Sequence, residues 1–222
     1  MAATGLRAEA RLAERAGSVV AVAGGGDFAF LADHVERAIA EGASGVLSFG
    51  IAGGLDPELR PGDIVVGNAV IYGRERFKAD EIWRQRLATS LHGAGVRMGE
   101  IAASDVPVGS RELKAALRQA TGAVAVDMES HVAGRLAAQH KLPFAVLRVV
   151  GDDAYRSLPP AAVAGLASGG TIDIQGVLKS LLRQPSQLPQ LLRVSVDTNK
   201  AMASLLRCNR LLGPGLGFAD LG

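Results

Sequence analysis

In AVDMESHVAGRLA (125–137), Asp127, Glu129 and His131 fall where an apolar run gives way to an alanine-rich helical pattern. Downstream, LPFAVLRVVGDDA (142–154) sets Arg148 within an apolar strand and ends on Asp152 and Asp153. A guanidinium is costly to bury unless an anion or a set of acceptors pairs with it, so a negative partner is expected near Arg148. The Asp152–Asp153 pair and glycine turns at Gly24–Gly26 and Gly50–Gly54 complete a set of polar features at the ends of apolar runs.

The elements that must position these residues alternate along the chain. SVVAVAG (18–24) reads as a strand ending in glycines, and FLADHVERAIAEG (30–42) as a helix with Gly42 at its C-cap. Further strands are expected at 45–54, at 62–73 after the Pro61-Gly62 turn, at GAVAVD (122–127) and at PFAVLRVVGDD (143–153). Helices are expected near 80–93, at 110–121 with Ser110 as N-cap, and at 127–140. Strands apolar on both faces and separated by helices point to an α/β fold with a mostly parallel sheet covered on both sides. In such sheets ligands bind at the carboxyl ends of the strands, where the polar features above converge.

Composition bounds the rest. With 222 residues, 48% of them apolar, the chain can bury one substantial core, and a net charge of +2 does not mark a nucleic-acid binder. Cys208 is the only cysteine, so an intramolecular disulfide and a cysteine-rich metal site are excluded, and a reducing, cytoplasmic setting is expected. No metal is expected either, because the histidines show no ligand spacing. Neither a signal segment nor a run of the ~20 apolar residues that cross a bilayer is evident. From Lys179 to Arg210, six basic residues accompany leucines at near-helical spacing against one acid, Asp197. Such a stretch can pack on the domain or on a second subunit, or lie on an anionic membrane.

Each polar feature also has a structural reading. Glycine triplets are commonly tight turns, and Glu129 complements a helix dipole without any ligand. Asp152 and Asp153 can cap a following element, Arg148 can pair with Asp127 or Glu129, and His131 can be a packing residue. A dinucleotide-binding reading is disfavoured, since GGGDFA (24–29) does not supply Gly-x-Gly-x-x-Gly.

Taken in order, SFGIAGGLDPELRPGDIVV (48–66), AVDMESHVAGRLA and LPFAVLRVVGDDA resemble the purine nucleoside phosphorylase and methylthioadenosine nucleosidase superfamily. Within it, TGLRAEARLA (4–13) and NRLLGPGLG (209–217) are most similar to the hopanoid-associated phosphorylases. The resemblance implies a three-layer fold over residues 1–180, with a helical extension over 181–222. It implies Glu129 at the ribose hydroxyls, Met128 along the sugar, Asp152 as the acid at purine N7 and Arg148 beside the attacking water or phosphate. It aligns Glu9 with the glutamate that orients water in the nucleosidases. Ala52, Gly53 and Val106 would line the substrate, and Gly25, Gly26 and Gly50 would join Arg148 in holding phosphate. Two positions depart from the pattern: Ile51 replaces a serine or threonine, and Val106 stands where nucleosidases stack an aromatic residue on adenine. The expected activity is phosphorolysis of a 5′-substituted adenine nucleoside such as adenosylhopane, with phosphate as co-substrate and no cofactor. Hydrolysis is the alternative, and a non-catalytic nucleoside-binding protein is the alternative of another class. A homo-oligomer is expected, with possible membrane contact through the extension and a lipid-linked nucleoside as substrate.

Overall fold

The structure, a computed structural model, describes residues 1–164, 171 and 173–218. The chain runs β1 (Ala2–Thr4), α1 (Arg7–Glu14), β2 (Ala21–Ala23), α2 (Phe28–Ala40), β3 (Val46–Gly54), β4 (Ile64–Tyr72) and β5 (Glu75–Lys78). It continues α3 (Glu81–Ser90), β6 (Val96–Ala103), α4 (Arg111–Thr121), β7 (Ala125–Asp127), α5 (Ser130–Gln139) and β8 (Phe144–Asp152). Three helices follow: α6 (Pro160–Ala164), α7 (Ile174–Arg183) and α8 (Leu188–Leu212). Side-chain caps set several starts. Asp27 accepts from Phe30 N at 2.9 Å, Asp80 from Trp83 N at 2.8 Å and Ser110 from Leu113 N at 3.1 Å.

The expected α/β class and the helical C-terminal segment are present, and the sheet is mixed. β3 and β8 lie parallel at its centre, from Val46 opposite Phe144 to Gly53 opposite Asp152. The other edge of β3 takes parallel β1 along its first half and antiparallel β7 at Gly53 and Gly54. β8 continues antiparallel to β4, β4 parallel to β6 and β6 parallel to β7, so five strands close into a ring. β2 extends the sheet beyond β1, and β5 pairs with the end of β4.

Three strands escaped the periodicity reading for physical reasons. β6 (VRMGEIAA) buries only its last three residues, so it shows no apolar run. β5 is largely exposed at an edge, and β1 is three residues of small side chains. The strand expected at 18–24 shrinks to Ala21–Ala23, and the helix expected from 127 starts at Ser130 because Asp127 still belongs to β7.

Two cores flank the sheet. On one side Leu47, Phe49, Leu147 and Val149 meet Leu12 and Ala13 of α1, Trp83 and Leu87 of α3, and Ala201, Leu205, Cys208 and Leu212 of α8. On the other, Val46, Val146 and Val150 meet Leu31 and Val35 of α2 and Val132, Ala133, Leu136 and Ala137 of α5. Asn209 ties α8 to α1 by donating to Leu12 O at 2.8 Å. Among the described residues no helix is long and apolar enough to cross a membrane.

Candidate active site

Arg148 sits at 0% exposure in β8, and its acceptors account for its burial. Nη2 donates to Ser48 Oγ at 2.6 Å and to Ser130 Oγ at 3.2 Å, and Nη1 to Ile51 O at 3.4 Å. Nε lies 2.7 Å from Asp127 Oδ2, an ion pair without hydrogen-bond geometry, and Nη2 lies 3.7 Å from Glu129 Oε2. Asp127 is fixed in turn, accepting from Ser130 N at 3.1 Å and from the Ser130 hydroxyl. The negative partner expected of a buried guanidinium is therefore present, in the form of more than one carboxylate.

Glu9 supplies another from α1. Its Oε2 accepts from Gly5 N at 2.9 Å and Leu6 N at 2.8 Å, and its Oε1 from Ile51 N at 2.9 Å, which joins the start of α1 to β3. Glycine makes the convergence possible. A Cβ on Gly50 would lie 2.7 Å from Glu9 Oε2 and 2.8 Å from Arg148 Nη1, and one on Gly5 would lie 2.8 Å from Glu129 Oε1. Three buried carboxylates now share one cation. Burial pushes the Glu9 carboxyl upward, against Arg148 and the three N–H donors. Burial likewise raises Glu129 to about 7; Arg148 opposes this, while Asp127 and Glu9 add to it.

The first glycine turn lies close by. Gly24 N donates to Thr4 O at 2.8 Å and Gly25 N to Gly5 O at 2.9 Å, so the Gly25 amide is engaged within the protein. Gly26, at φ 80°, adopts a left-handed conformation that suits glycine, and a Cβ there would come within 3.9 Å of Met128 Cε.

Asp152 is placed differently. The β3/β8 register slips after Ala52–Val150, leaving Gly151 as an extra residue before Asp152 pairs with Gly53. A Cβ on Gly151 would lie 2.5 Å from Ile51 Cγ2, so this bulge depends on glycine. Its effect is to turn Asp152 to the face of Gly53 and Val126, while Arg148 shares the face of Gly50. There the Asp152 carboxylate pairs with Lys114 Nζ, which also donates to Asp153 O at 2.7 Å and Arg156 O at 3.1 Å. Burial raises the Asp152 carboxyl and Lys114 pulls it down, with a net upward shift.

The structure thus brings Glu9, Gly50, Glu129 and Arg148 together with Met128 and Gly26 nearby, and sets Asp152 beyond the bulge with Lys114. Ala52 packs into the core beside Val150, and Val106 lies exposed in the turn after β6. Sequence reasoning missed Ser48 and Ser130, whose hydroxyls carry no distinctive spacing. It also missed Lys114, whose signal is inverted: in α4 the lysine is buried while its neighbour Leu113 is exposed. A third omission is Tyr72, whose Oη donates to Asp105 at 2.6 Å and whose ring stacks on His131 at 4.3 Å between ring centroids. No group of residues that could hold a metal occurs among the described residues. Two cavities lie away from the Arg148 cluster. One, of about 440 Å³, opens among Met1, Gly45, Trp83 and Phe218. The other, of about 360 Å³, lies against Leu55, Arg111, Arg118 and Tyr155 on the α4 side.

A mixed sheet between helical layers, with buried carboxylates and a guanidinium joined across its central strands, defines an α/β protein built to handle charge inside its sheet. The chain belongs to the Phosphorylase superfamily, whose profile matches residues 16–183. Solved structures share the fold. A 5′-methylthioadenosine/S-adenosylhomocysteine nucleosidase from Helicobacter pylori matches at 14% identity and TM-score 0.67, over 95% of this chain and 94% of its own. The H. pylori futalosine hydrolase matches at 16% identity and TM-score 0.61, over 88% and 96%. A 5′-methylthioadenosine/S-adenosylhomocysteine nucleosidase from Neisseria meningitidis, in complex with methylthio-immucillin-A, matches at 20% identity and TM-score 0.60, over 93% and 96%.

Proposed function

We propose that the protein hydrolyses the N-glycosidic bond of a 5′-substituted adenine nucleoside, with water as the nucleophile. The observation that carries this reading is the excess of carboxylate around Arg148. Asp127, Glu129 and Glu9 outnumber the one cation, so the cluster repels a phosphate dianion and accommodates a neutral water. Arg148 already directs its donors to Ser48, Ser130 and Ile51 O, the Gly25 amide is engaged, and Ile51 offers no hydroxyl. These features weigh against the phosphorolysis implied by the resemblance to hopanoid-associated phosphorylases. The solved relatives named above are nucleosidases and a hydrolase, in keeping with water.

In this mechanism Glu9 is the base. Its two oxygens offer about four acceptor sites, of which the backbone fills three, leaving one for water. Its raised pKa makes it a stronger base than an exposed carboxylate. Glu129 accepts from the ribose hydroxyls, and the nucleoside enters over the half-buried Met128. Water oxygen bonds to C1′ as the C1′–N9 bond breaks. Glu9 takes the water proton, and the departing adenine takes a proton at N7 from Asp152, whose burial favours the protonated form. A nucleoside spans the two faces at the carboxyl end of β8, since four residues of strand separate Arg148 from Asp152 by ~13 Å or less.

The test is release of free adenine from methylthioadenosine with and without inorganic phosphate. Equal rates, with the free sugar as product, are expected. A rate that depends on phosphate and yields a sugar 1-phosphate would restore phosphorolysis, and binding without release would leave a nucleoside-binding protein.

A further inference from the structure

Helices α7 and α8 carry apolar side chains that lie exposed. On α7, Ile174, Leu178 and Leu182 recur at every fourth position and are 67%, 54% and 84% exposed. On α8, Leu188, Leu192 and Val196 recur at the same spacing and are also exposed. These three lie on the side of α8 opposite Ala201, Leu205, Cys208 and Leu212, which enter the core. A 3₁₀ turn of three residues, Pro185–Gln187, separates the two helices.

The exposed charge along these helices has one sign. Lys179, Arg183, Arg193 and Lys200 are exposed, each one residue past a stripe position or on the adjoining flank. Lys179, Arg183 and Arg193 have no acidic partner among the described residues. Asp197, the one acid between Lys179 and Arg210, is buried and pairs with Arg156, with Lys200 at 3.8 Å. That ion pair, with Gln187 accepting from Ala161 N at 2.8 Å, fastens the start of α8 to the segment that follows β8.

We infer that α7 and the first half of α8 dock the protein on an anionic membrane surface. Leucines at every fourth residue enter the headgroup boundary, and lysine and arginine beside them extend to lipid phosphates while their stems cover apolar surface. A protein partner of the same shape would be expected to meet a face carrying both signs of charge. Uniformly basic flanks match anionic lipid instead. This inference is independent of the nucleoside chemistry.

The experiment is sedimentation of the full chain with phosphatidylcholine vesicles and with vesicles of three parts phosphatidylcholine to one part phosphatidylglycerol. Binding is expected to the anionic vesicles only, and to weaken as salt rises. Two variants should each partition at least about tenfold less while keeping adenine release and thermal midpoint: Leu178→Glu with Leu182→Glu, and Arg183→Glu with Arg193→Glu. Equal sedimentation of wild type and variants, equal binding to neutral vesicles, or no binding would overturn the inference. So would a self-association, measured by sedimentation equilibrium without lipid, that the leucine variant abolishes, since the face would then belong to a second copy.

Discussion

Arg148 and Lys114 are both completely buried cations that meet carboxylates at β8, one on each face of the strand, and their surroundings differ in balance. Lys114 faces one carboxylate and two carbonyl oxygens, so its three protons are matched by three acceptors and the site is close to neutral. Arg148 faces two carboxylates directly and a third across Gly50, and the imbalance leaves Glu129 raised to about 7. The matched pair fixes the Asp152 carboxyl and still leaves it with a net upward shift, whereas the unbalanced cluster holds a carboxyl that titrates at about 7. The Gly151 bulge lets one strand serve both ends, and it is why the two sites do not share a face.

The largest expected effect tests this difference directly. Arg148→Met leaves three buried carboxylates without their cation and should cost about 3–5 kcal/mol of stability. Lys114→Met leaves only Asp152, which can take up a proton, so the loss should be smaller, about 1–3 kcal/mol. Urea midpoints of the two variants check the order, and equal losses would erase the distinction drawn between the faces. Next in size are changes in rate. Glu9→Gln should lower kcat by about 100-fold or more while the chain stays folded, because the amide cannot accept a proton from water. Asp152→Asn should lower adenine release comparably without weakening nucleoside binding. An unchanged rate in either variant, measured as adenine formed per minute, would remove that residue from the mechanism.

The sequence made the central layout legible because β3, β4 and β8 are long apolar runs and the helices carry end signals such as Gly42 after α2 and Ser110 before α4. Arg148 was conspicuous for the opposite reason, as a charge where none belongs. The ring closure was not legible, since it depends on β6, whose half-buried residues show neither alternation nor an apolar run, and on strand pairing that no local pattern encodes. The split between Arg148 and Asp152 was hidden for a related reason. A spacing of four along an ideal strand puts both residues on one face, and the single inserted Gly151 reverses that. Lys114 was hidden because its helix buries a lysine in place of the adjacent leucine.

The smallest expected effect sharpens the comparison through pH. The folded pKa of Glu129, about 7, lies above the ordinary carboxylate value of 4.5, so between those values the folded protein holds a proton that the unfolded chain does not. Stability from this group is therefore fully present below about pH 4.5 and is lost as pH rises through about 7. Glu129→Gln removes the titration, so the variant should gain on wild type between about pH 5 and pH 8, by up to about 3 kcal/mol. Catalysis runs the other way, because only the ionised carboxylate accepts fully from two ribose hydroxyls. Wild-type kcat/KM should climb as pH rises through about 7, whereas the glutamine variant should bind nucleoside weakly at every pH. Denaturation midpoints and pH–rate profiles on the same two proteins give both readings. Parallel stability curves would mean that Glu9, not Glu129, holds the proton. Lys114→Met provides the contrast: it should leave the rise assigned to Glu129 in place and, by removing the cation that holds the Asp152 carboxyl down, extend the alkaline limb of the profile instead.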